Sequence, residues 1–328
     1  MYTGLSAGTE LTFMKGTNPY LHSRWDDHRG VFIPGEASAH FPVNFLGYME
    51  VGRVSDSRAH GFARGDVVAA SWGHKTGHTA NPDHDLLLKL PAGVDPMLGI
   101  FVAQMGPIAA NGILHADAEQ FGAAVPFLGA GVEGRPVLVW GGGTVGLFCA
   151  LFARAGGASE IVVVDPSPWR QELARRMGFE AMGEDDAWRH AKSRWHHKVG
   201  SRGAEIVFQT RARSDSLNLA LRALRPQGTV IDLAFYQGGA DGLRLGEEFH
   251  HNGLNLRCAQ INRMPRAVAH AWDQRRLAHE TLHLLEAEGD LIREHMITHV
   301  VPYDEAPGFL RHLVQDRPEF LQIVFAHE

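Results

Sequence analysis

The sequence predicts an α/β protein of two domains, one built on a doubly wound parallel sheet and the other rich in β structure. A chain of 328 residues is longer than one ordinary core needs, which favours two domains. Apolar strands alternate with helical segments between Val137 and Ala259, as in a doubly wound sheet. Residues 1–117 carry short apolar runs between glycines and prolines, which is typical of strands joined by turns. The predicted domains are residues 1–117 with 263–328, and residues 118–262.

The strongest local pattern is a glycine-rich turn after the first strand of the doubly wound domain. Residues 137–140 are uncharged and rich in valine, like a buried parallel strand. The glycines that follow have G-x-G-x-x-G spacing: the first makes a tight turn, the second lets a pyrophosphate approach the backbone, and the third lets helix and strand pack closely. The next helix would direct its N–H groups at the phosphates. We therefore predict a dinucleotide site at Gly141, Gly143, Thr144, Val145 and Gly146.

A second apolar strand, Ile161–Val164, ends at Asp165, which lies 19 residues past Gly146. An acidic side chain at this spacing binds the ribose hydroxyls of NAD, and it repels the 2′-phosphate of NADP. Arg170, in the helix that follows, is assigned to the cofactor as well. The sequence therefore predicts NAD, with NADP as the second choice. The alternative is a glycine-rich turn that binds nothing.

Composition excludes several classes of protein. The formal net charge of −6 offers no basic surface, so we expect neither nucleic acid nor an anionic membrane as a partner. The only two cysteines, Cys149 and Cys258, argue against a disulfide framework and for a reducing, cytoplasmic location. No apolar run approaches the roughly 20 residues that a membrane helix needs, and the N-terminal residues have no signal-peptide pattern.

The order of these parts resembles the medium-chain dehydrogenase/reductase superfamily, which includes alcohol and polyol dehydrogenases. The resemblance covers nearly the whole chain and rests on the glycine motif with Asp165, on Leu224–Gly228, and on the tail segment Ile297–His299. It implies a GroES-like β-barrel catalytic domain that the C-terminal tail rejoins, a Rossmann domain, and an active site in the cleft between them. It also implies a small-molecule substrate and a homodimer or homotetramer. The family's opening strands are missing here, so we expect either a misassigned gene start or a lineage that has lost them.

The segments that bind zinc in this family differ in this chain. Zinc-dependent members carry C-G-x-C-G-T-D near the start, where this chain has Gly4–Glu10 and no thiolate. They carry G-H-E-x-x-G where this chain has Gly47–Gly52, so Tyr48 and Met49 stand at the positions of the histidine and the glutamate. A catalytic zinc needs three protein ligands, and a four-cysteine structural zinc cannot form here. The sequence therefore predicts neither a catalytic nor a structural zinc ion. Its opening segment is most similar to the zinc-less bacteriochlorophyllide dehydrogenases.

Without zinc, a side chain must polarise a carbonyl group or take a hydroxyl proton. Tyr48 is the first candidate; the other interpretation is a packed tyrosine that fills the space of the metal. Thr9 matches the family threonine that passes protons from the substrate alcohol, or else it is a plain turn residue. Glu50 is predicted on the same strand face as Tyr48, as an acid–base partner or an ordinary structural hydrogen bond.

A histidine-rich stretch gives further candidates. His78 is a candidate proton relay, because histidine ordinarily titrates in the working range of enzymes. His74, His78 and Asp83 offer an alternative set of ligands for a replacement metal, and the third interpretation is a solvated loop. The insertion from Lys15 to His40, which carries three aromatic residues, either walls a pocket for a ring-shaped substrate or simply covers the barrel.

Taken together, these features predict an NAD-preferring, zinc-independent oxidoreductase. Its expected reaction interconverts a secondary alcohol and a ketone on a small polyhydroxylated or cyclic substrate. One alternative is an NADPH-dependent enoyl or quinone reductase, which keeps the fold and changes the acceptor. The other is a dinucleotide-binding protein that has lost catalysis and serves as a sensor or scaffold.

Overall fold

The computed structural model describes residues 1–316 and 318–327. The strands in these residues are β1 (Tyr2–Gly4), β2 (Ser23–Asp26), β3 (Val31–Pro34), β4 (Glu50–Arg53), β5 (Val67–Ala70), β6 (Leu88–Lys89), β7 (Pro136–Trp140), β8 (Glu160–Val164), β9 (Glu180–Met182), β10 (His196–Lys198), β11 (Ser201–Arg202), β12 (Ala204–Gln209), β13 (Leu224–Asp232), β14 (Asn255–Cys258), β15 (Ile297–Pro302) and β16 (Gln322–Ala326). The α-helices are α1 (Ala7–Met14), α2 (Met105–Phe121), α3 (Thr144–Ala155), α4 (Pro168–Arg176), α5 (Glu184–Arg194), α6 (Ser214–Ala223), α7 (Gln274–His295) and α8 (Ala306–Asp316). No helix in the described ranges is long and apolar enough to cross a membrane.

The chain divides into two compact units. Unit 1 comprises Met1–Ala103 with the segment from Ile297 onwards, and unit 2 comprises Gln104–Met296. These boundaries differ from the predicted ones at residues 117 and 263. The reason is that α2 and α7 pack against each other and against α3, so both helices belong to unit 2. Helix α2 is apolar on most of its surface and needs such neighbours to bury it.

Unit 2 is a doubly wound sheet, as predicted. Its six strands are ordered β14-β13-β12-β7-β8-β9 and are all parallel. The chain therefore starts in the middle at β7, goes outwards to β9, and returns to the other side at β12, which is the strand order of a Rossmann fold. Valine, leucine and alanine side chains on the strands form the core with α5 and α6. Ligands of such sheets bind outside the carboxyl ends of β7 and β12, where the strand order reverses.

Unit 1 contains a six-stranded mixed sheet ordered β15-β16-β1-β4-β5-β6. Strand β1 pairs antiparallel with both β16 and β4, so the tail rejoins the N-terminal segment as the resemblance implied. Leu5, Leu11, Ile323 and Phe325 form a core with α8. The predicted strand over residues 45–54 is shorter than expected and begins only at Glu50, because Gly47 has a φ of +95° and turns the backbone away from the sheet.

Two further expectations needed correction. Residues 7–14 form helix α1 where turns and strands were predicted, because the N-cap Ser6 has its N–H bonded by the Glu10 carboxylate one turn later. The sequence has helical periodicity from about Arg266 to Glu288, but helix α7 begins only at Gln274, because the Asp273 side chain accepts a hydrogen bond from Arg276 N–H and caps the helix there.

Candidate functional site

The glycine turn of unit 2 has the geometry that its spacing predicts. Gly141 has a φ of +111°, and a Cβ atom there would lie 2.4 Å from Thr210 Oγ1. A Cβ at Gly146 would lie 1.8 Å from Gly141 O, so strand and helix meet too closely for a side chain. At Gly143 the nearest neighbour of such a Cβ is Arg170 Nη1 at 3.4 Å. The first and third glycines are thus required by the fold, and the second leaves room for a ligand.

The N-terminal end of α3 completes a phosphate site. Gly143 is the N-cap, and the helix's own hydrogen bonds begin where Leu147 N–H donates to Gly143 O. The backbone N–H groups of Thr144, Val145 and Gly146 therefore lie at the positive end of the helix dipole. This helix end follows β7, at the switch point of the sheet. The residues present fit a dinucleotide, whose pyrophosphate would bind here.

Asp165 lies directly beside this turn, after β8. Its Oδ2 accepts a hydrogen bond from Gly142 N–H at 2.8 Å, and its Oδ1 accepts one from Ser167 N–H at 2.9 Å. The side chain is almost fully buried, and Arg170 Nη1 lies 3.9 Å from Oδ2. Each carboxylate oxygen retains a second lone pair that a ribose hydroxyl can use. The structure thus brings all the predicted cofactor residues together at one place.

Unit 1 holds a hydroxyl cluster formed by Ser6, Thr9 and Tyr48. The Tyr48 phenol and the Ser6 hydroxyl are joined by a short hydrogen bond, and the phenol donates to Thr9 Oγ1 at 3.2 Å. Burial raises the pKa of Tyr48 above its usual value, and the bonds to Ser6 and Thr9 oppose this effect only in part. The phenol is therefore a proton donor at neutral pH.

An acid–imidazole network lies next to this cluster and consists of Thr3, Glu10, Glu50 and His74. His74 Nε2 is 2.6 Å from Glu10 Oε2, and His74 Nδ1 is 2.6 Å from Thr3 Oγ1. Thr3 Oγ1 in turn donates to Glu50 Oε1 at 3.3 Å. Burial favours neutral His74, but the hydrogen bond and charge of Glu10, with the charge of Glu50, outweigh it and raise the pKa of His74. Burial also raises the pKa of Glu50, against the effect of backbone hydrogen bonds.

Glu10 joins the network to the hydroxyl cluster. Its Oε1 accepts the Ser6 N–H at 2.8 Å while its Oε2 binds His74, so one buried carboxylate contacts both groups. The backbone of His74 is held as well, since its N–H donates to Leu46 O at 2.8 Å and its carbonyl accepts the Tyr303 hydroxyl at 2.9 Å. Side chains from α1, β1 and β4 thus surround one partly buried histidine.

These residues do not fit a zinc ion. The segments equivalent to the two zinc-binding motifs do meet, because Ser6 comes from one and Tyr48 from the other. Their oxygen atoms bond directly to each other, which leaves no space for a metal between them. Met49, at the position of the family glutamate, is fully buried and offers only a thioether. A zinc site needs thiolate, imidazole or carboxylate ligands, and neither Ser6 nor Tyr48 supplies one.

The other catalytic candidates lie apart from this cluster. Tyr48 precedes β4, so strand alternation does not apply to it, and Tyr48 and Glu50 bind different partners and not each other as a couple. His78 is exposed and stacks on the Trp72 ring at 5.6 Å, outside the network. The alternative metal site is wrong: both ring nitrogens of His74 are already bonded. Within residues 1–316 and 318–327, the triad whose ligand atoms converge is instead Glu160, Glu180 and His190 in unit 2.

The reasoning from sequence missed three members of the site, Thr3, Ser6 and Glu10, and it gave His74 a role in metal binding only. The contacts of these residues join positions that are 42, 64 and 71 apart. The local sequence does not contain a capping box, because Glu10 lies four residues after Ser6 and the motif has its glutamate three residues after the N-cap. The insertion from Lys15 forms the hairpin of β2 and β3, in which Trp25 and Phe32 pack edge to face at 5.1 Å.

The Rossmann unit with its dinucleotide turn, and a second unit with a buried acid–base cluster, define the class of NAD(P)-dependent oxidoreductases. Known proteins agree with this class. The family described as zinc-binding dehydrogenase matches residues 144–271. D-Guloside 3-dehydrogenase from Escherichia coli (strain K12) is 26% identical over 323 residues, which are 95% of this chain and 87% of that protein. D-Xylulose reductase A from Aspergillus oryzae is 33% identical over 109 residues, 32% of this chain and 29% of that protein.

Solved structures share the whole fold. The alcohol dehydrogenase TADH from Thermus sp. ATN1 superposes with a TM-score of 0.68 at 21% identity, over 100% of this chain and 90% of that one. Together with the sequence relatives, this shared fold supports the resemblance of the chain to the medium-chain dehydrogenase/reductase superfamily. The match to the zinc-binding dehydrogenase family lies entirely in unit 2, whereas the segments equivalent to the zinc motifs lie in unit 1. The family's description therefore carries no information about zinc in this chain.

Proposed function

We propose that this protein is a zinc-independent, NAD-preferring dehydrogenase that interconverts a secondary alcohol and a ketone on a polyhydroxylated or cyclic substrate. The observation that carries this proposal is the hydroxyl cluster. Where zinc-dependent relatives would bring two ligands to a metal, this chain brings Ser6 and Tyr48 into direct contact with each other. A buried phenol that is held by two hydroxyl groups is a suitable general acid for a carbonyl oxygen.

The proposed chemistry needs a hydride carrier and a proton donor. When bound, the nicotinamide supplies or accepts the hydride. Tyr48 turns its proton from Thr9 Oγ1 to the carbonyl oxygen and transfers it during reduction, and it takes the hydroxyl proton during oxidation, while Thr9 and Ser6 hold the phenol in place. Because burial raises the pKa of Tyr48, the phenol is protonated at neutral pH. We therefore propose that the enzyme reduces ketones best near neutrality and oxidises alcohols best at alkaline pH.

The proposed substrate class follows from the relatives and from the chemistry of the cluster. Two sequence relatives are named for a guloside and for xylulose, which are polyhydroxylated sugars. Hydroxyl groups such as those of Ser6 and Thr9 can donate and accept hydrogen bonds, and this suits a substrate that carries several hydroxyls. The preference for NAD rests on Asp165, whose carboxylate would repel a 2′-phosphate.

The test is Tyr48→Phe, assayed with NAD and a panel of glycosides, polyols and the corresponding keto sugars. Loss of the general acid should lower kcat by roughly 10²- to 10⁴-fold. Tyr20→Phe is the matched control, because Tyr20 is an exposed tyrosine of unit 1 and its loss should leave kcat unchanged. Zinc content is measured on the same preparations, and about one equivalent of zinc per chain with activity lost to a chelator would contradict the proposal. Unaltered turnover by Tyr48→Phe would remove the phenol from the mechanism.

A further inference from the structure

We propose that unit 1 holds a second ligand site, a cavity beside strand β4 that takes a small aromatic carboxylate. The cavity has a volume of about 470 Å³. Protein interiors are close-packed and their voids are rarely larger than a water molecule, whereas small-molecule sites measure roughly 300 to 1,000 Å³. No residue of the hydroxyl cluster or of the acid–imidazole network lines this cavity. The inference therefore goes beyond the proposed function and does not depend on it.

One wall of the cavity is apolar and aromatic. Val54, Phe62 and Trp72 line it and pack against the buried side chain of Val68. The Trp72 indole lies close over Gly52, where a Cβ atom would come within 3.0 Å of the ring. The absence of a side chain at Gly52 thus lets the indole approach β4. Ligand sites are lined mainly by apolar and aromatic side chains, so this wall offers the area that an apolar ring would bury.

The face of Trp72 accepts a planar ring. The exposed imidazole of His78, which also lines the cavity, stacks on the indole with ring centroids 5.6 Å apart and planes inclined by 25°. Offset stacking at such a distance is a favourable arrangement for two aromatic rings. A flat aromatic ligand is thus the shape that this part of the lining fits.

The charged side chains of the lining favour an anion. Besides histidines they are Arg53, Lys75 and Asp56, so cations are in excess. Among the residues that the structure describes, neither cation forms an ion pair. Arg53 Nη1 donates to Gly65 O at 3.0 Å, and the Lys75 ammonium lies over the Phe45 ring, 5.7 Å from its centroid. A guanidinium and an ammonium beside an apolar wall suit a carboxylate, which accepts hydrogen bonds from both.

The test uses naphthoate as the probe, titrated into the full chain by calorimetry, and we expect a single site per chain. Two matched compounds separate the ring from the charge. Naphthamide keeps the ring and loses the charge, and it should bind about tenfold more weakly. The saturated decalin carboxylate keeps the charge and loses the aromatic face, and it should bind about threefold more weakly. Equal affinities for naphthoate and naphthamide, or no saturable binding of naphthoate, would overturn the proposal.

Variants locate the site in the chain. Arg53→Gln and Lys75→Gln should each weaken naphthoate binding about fivefold and leave naphthamide binding unchanged. Lys15→Gln is the matched control, because Lys15 is an exposed lysine of unit 1 outside the lining, and it should change neither. Trp72→Leu should weaken both compounds about tenfold. Arg53 and Lys75 are exposed, so their variants should fold even if Trp72→Leu does not. Unchanged naphthoate binding in both charge variants would overturn the proposal.

The dinucleotide site of unit 2 is another place where an aromatic anion can bind. Saturating NADH should leave the affinity for naphthoate unchanged, whereas displacement by NADH would place the probe at the glycine turn and overturn the proposal. The titration needs no turnover. A dehydrogenase that lacks this site and a naphthoate-binding protein that lacks dehydrogenase activity are therefore distinguishable outcomes.

Discussion

The glycine turn of unit 2 and the acid–imidazole network of unit 1 solve different physical problems. The turn relies on the absence of side chains, since Gly141 and Gly146 let the backbone approach within distances that no Cβ atom tolerates. The network relies on side chains alone, with two carboxylates and an imidazole that neutralise one another out of water. The first is local in sequence and the second joins distant segments. A site built from backbone is therefore easier to recognise in a sequence than one built from buried charge.

The largest expected effect comes from a substitution that disrupts the glycine turn itself. Gly146→Ala would place a Cβ atom 1.8 Å from Gly141 O, so strand and helix must separate. We expect the free energy of unfolding to fall by about 3 kcal/mol, measured by denaturant unfolding. Gly143→Ala is the matched comparison: its φ of −85° suits alanine, and the nearest contact is an arginine side chain. It should change stability by only about 0.5 kcal/mol.

The same two variants, Gly143→Ala and Gly146→Ala, separate effects on folding from effects on NAD binding. Gly143→Ala fills the space that we assign to the pyrophosphate, so its affinity for NAD should fall at least about tenfold, or 1.4 kcal/mol, by calorimetry. A folded Gly143→Ala that binds NAD as tightly as the wild type would show that the phosphate does not lie at this glycine. A Gly146→Ala protein of normal stability would show that the turn relaxes easily.

Asp165→Asn tests the choice of cofactor. The amide keeps the shape of the carboxylate and can still accept one of the two backbone N–H groups, but it no longer repels a 2′-phosphate. We expect the ratio of NADP to NAD affinity to rise about tenfold. Arg170→Gln, which removes the guanidinium near the same carboxylate, is the companion variant and should lower NADP affinity. A wild type that already prefers NADP would contradict the role given to Asp165.

The smallest expected effect is the change in the free energy of unfolding with pH. The pKa of His74 is raised in the folded state, so the folded chain binds this proton more tightly than the unfolded chain does. The stabilisation from the His74 proton is complete below the ordinary pKa of histidine. It is lost as the pH rises through the pKa of His74 in the folded state. The free energy of unfolding should therefore fall above about pH 6.5, with a slope of at most about 1.4 kcal/mol per pH unit. Glu50, whose pKa is also raised, acts in the same direction from a lower pH.

The double variant Glu10→Gln/His74→Gln serves as the control for that measurement, because it removes both members of the pair. Its stability should be flatter with pH above 6.5 than that of the wild type. Equal slopes in the two proteins would mean that His74 does not carry an additional proton in the fold.

Physical reasons explain which parts of the molecule could be predicted. Strands β7, β8 and β12 are short and mostly apolar, so their type and order follow from the sequence, as does Asp165 at the end of β8. Helix α1 was missed because it lies in a segment that begins with glycines, and its start is held by the Glu10 carboxylate, which accepts the Ser6 N–H. The pairing of Tyr48 with Glu50 was wrong because Gly47, at positive φ, keeps residue 48 out of the strand. His74 was singled out for metal binding, and only the fold shows that its ring is bonded to the Glu10 carboxylate and the Thr3 hydroxyl from other segments.

The central position of β1 has a consequence for biosynthesis. Thr3 of β1 pairs with Phe325 of β16, so the two ends of the described chain lie side by side in one sheet. During translation, β16 is made only after all of unit 2, since it begins 26 residues beyond the end of that unit at Met296. The polar groups of Thr3 and Glu10 therefore remain hydrated until β16 pairs with β1 and closes the sheet over His74. Such a non-local closure is slow, and it makes unit 1 the part of the nascent protein most dependent on chaperones.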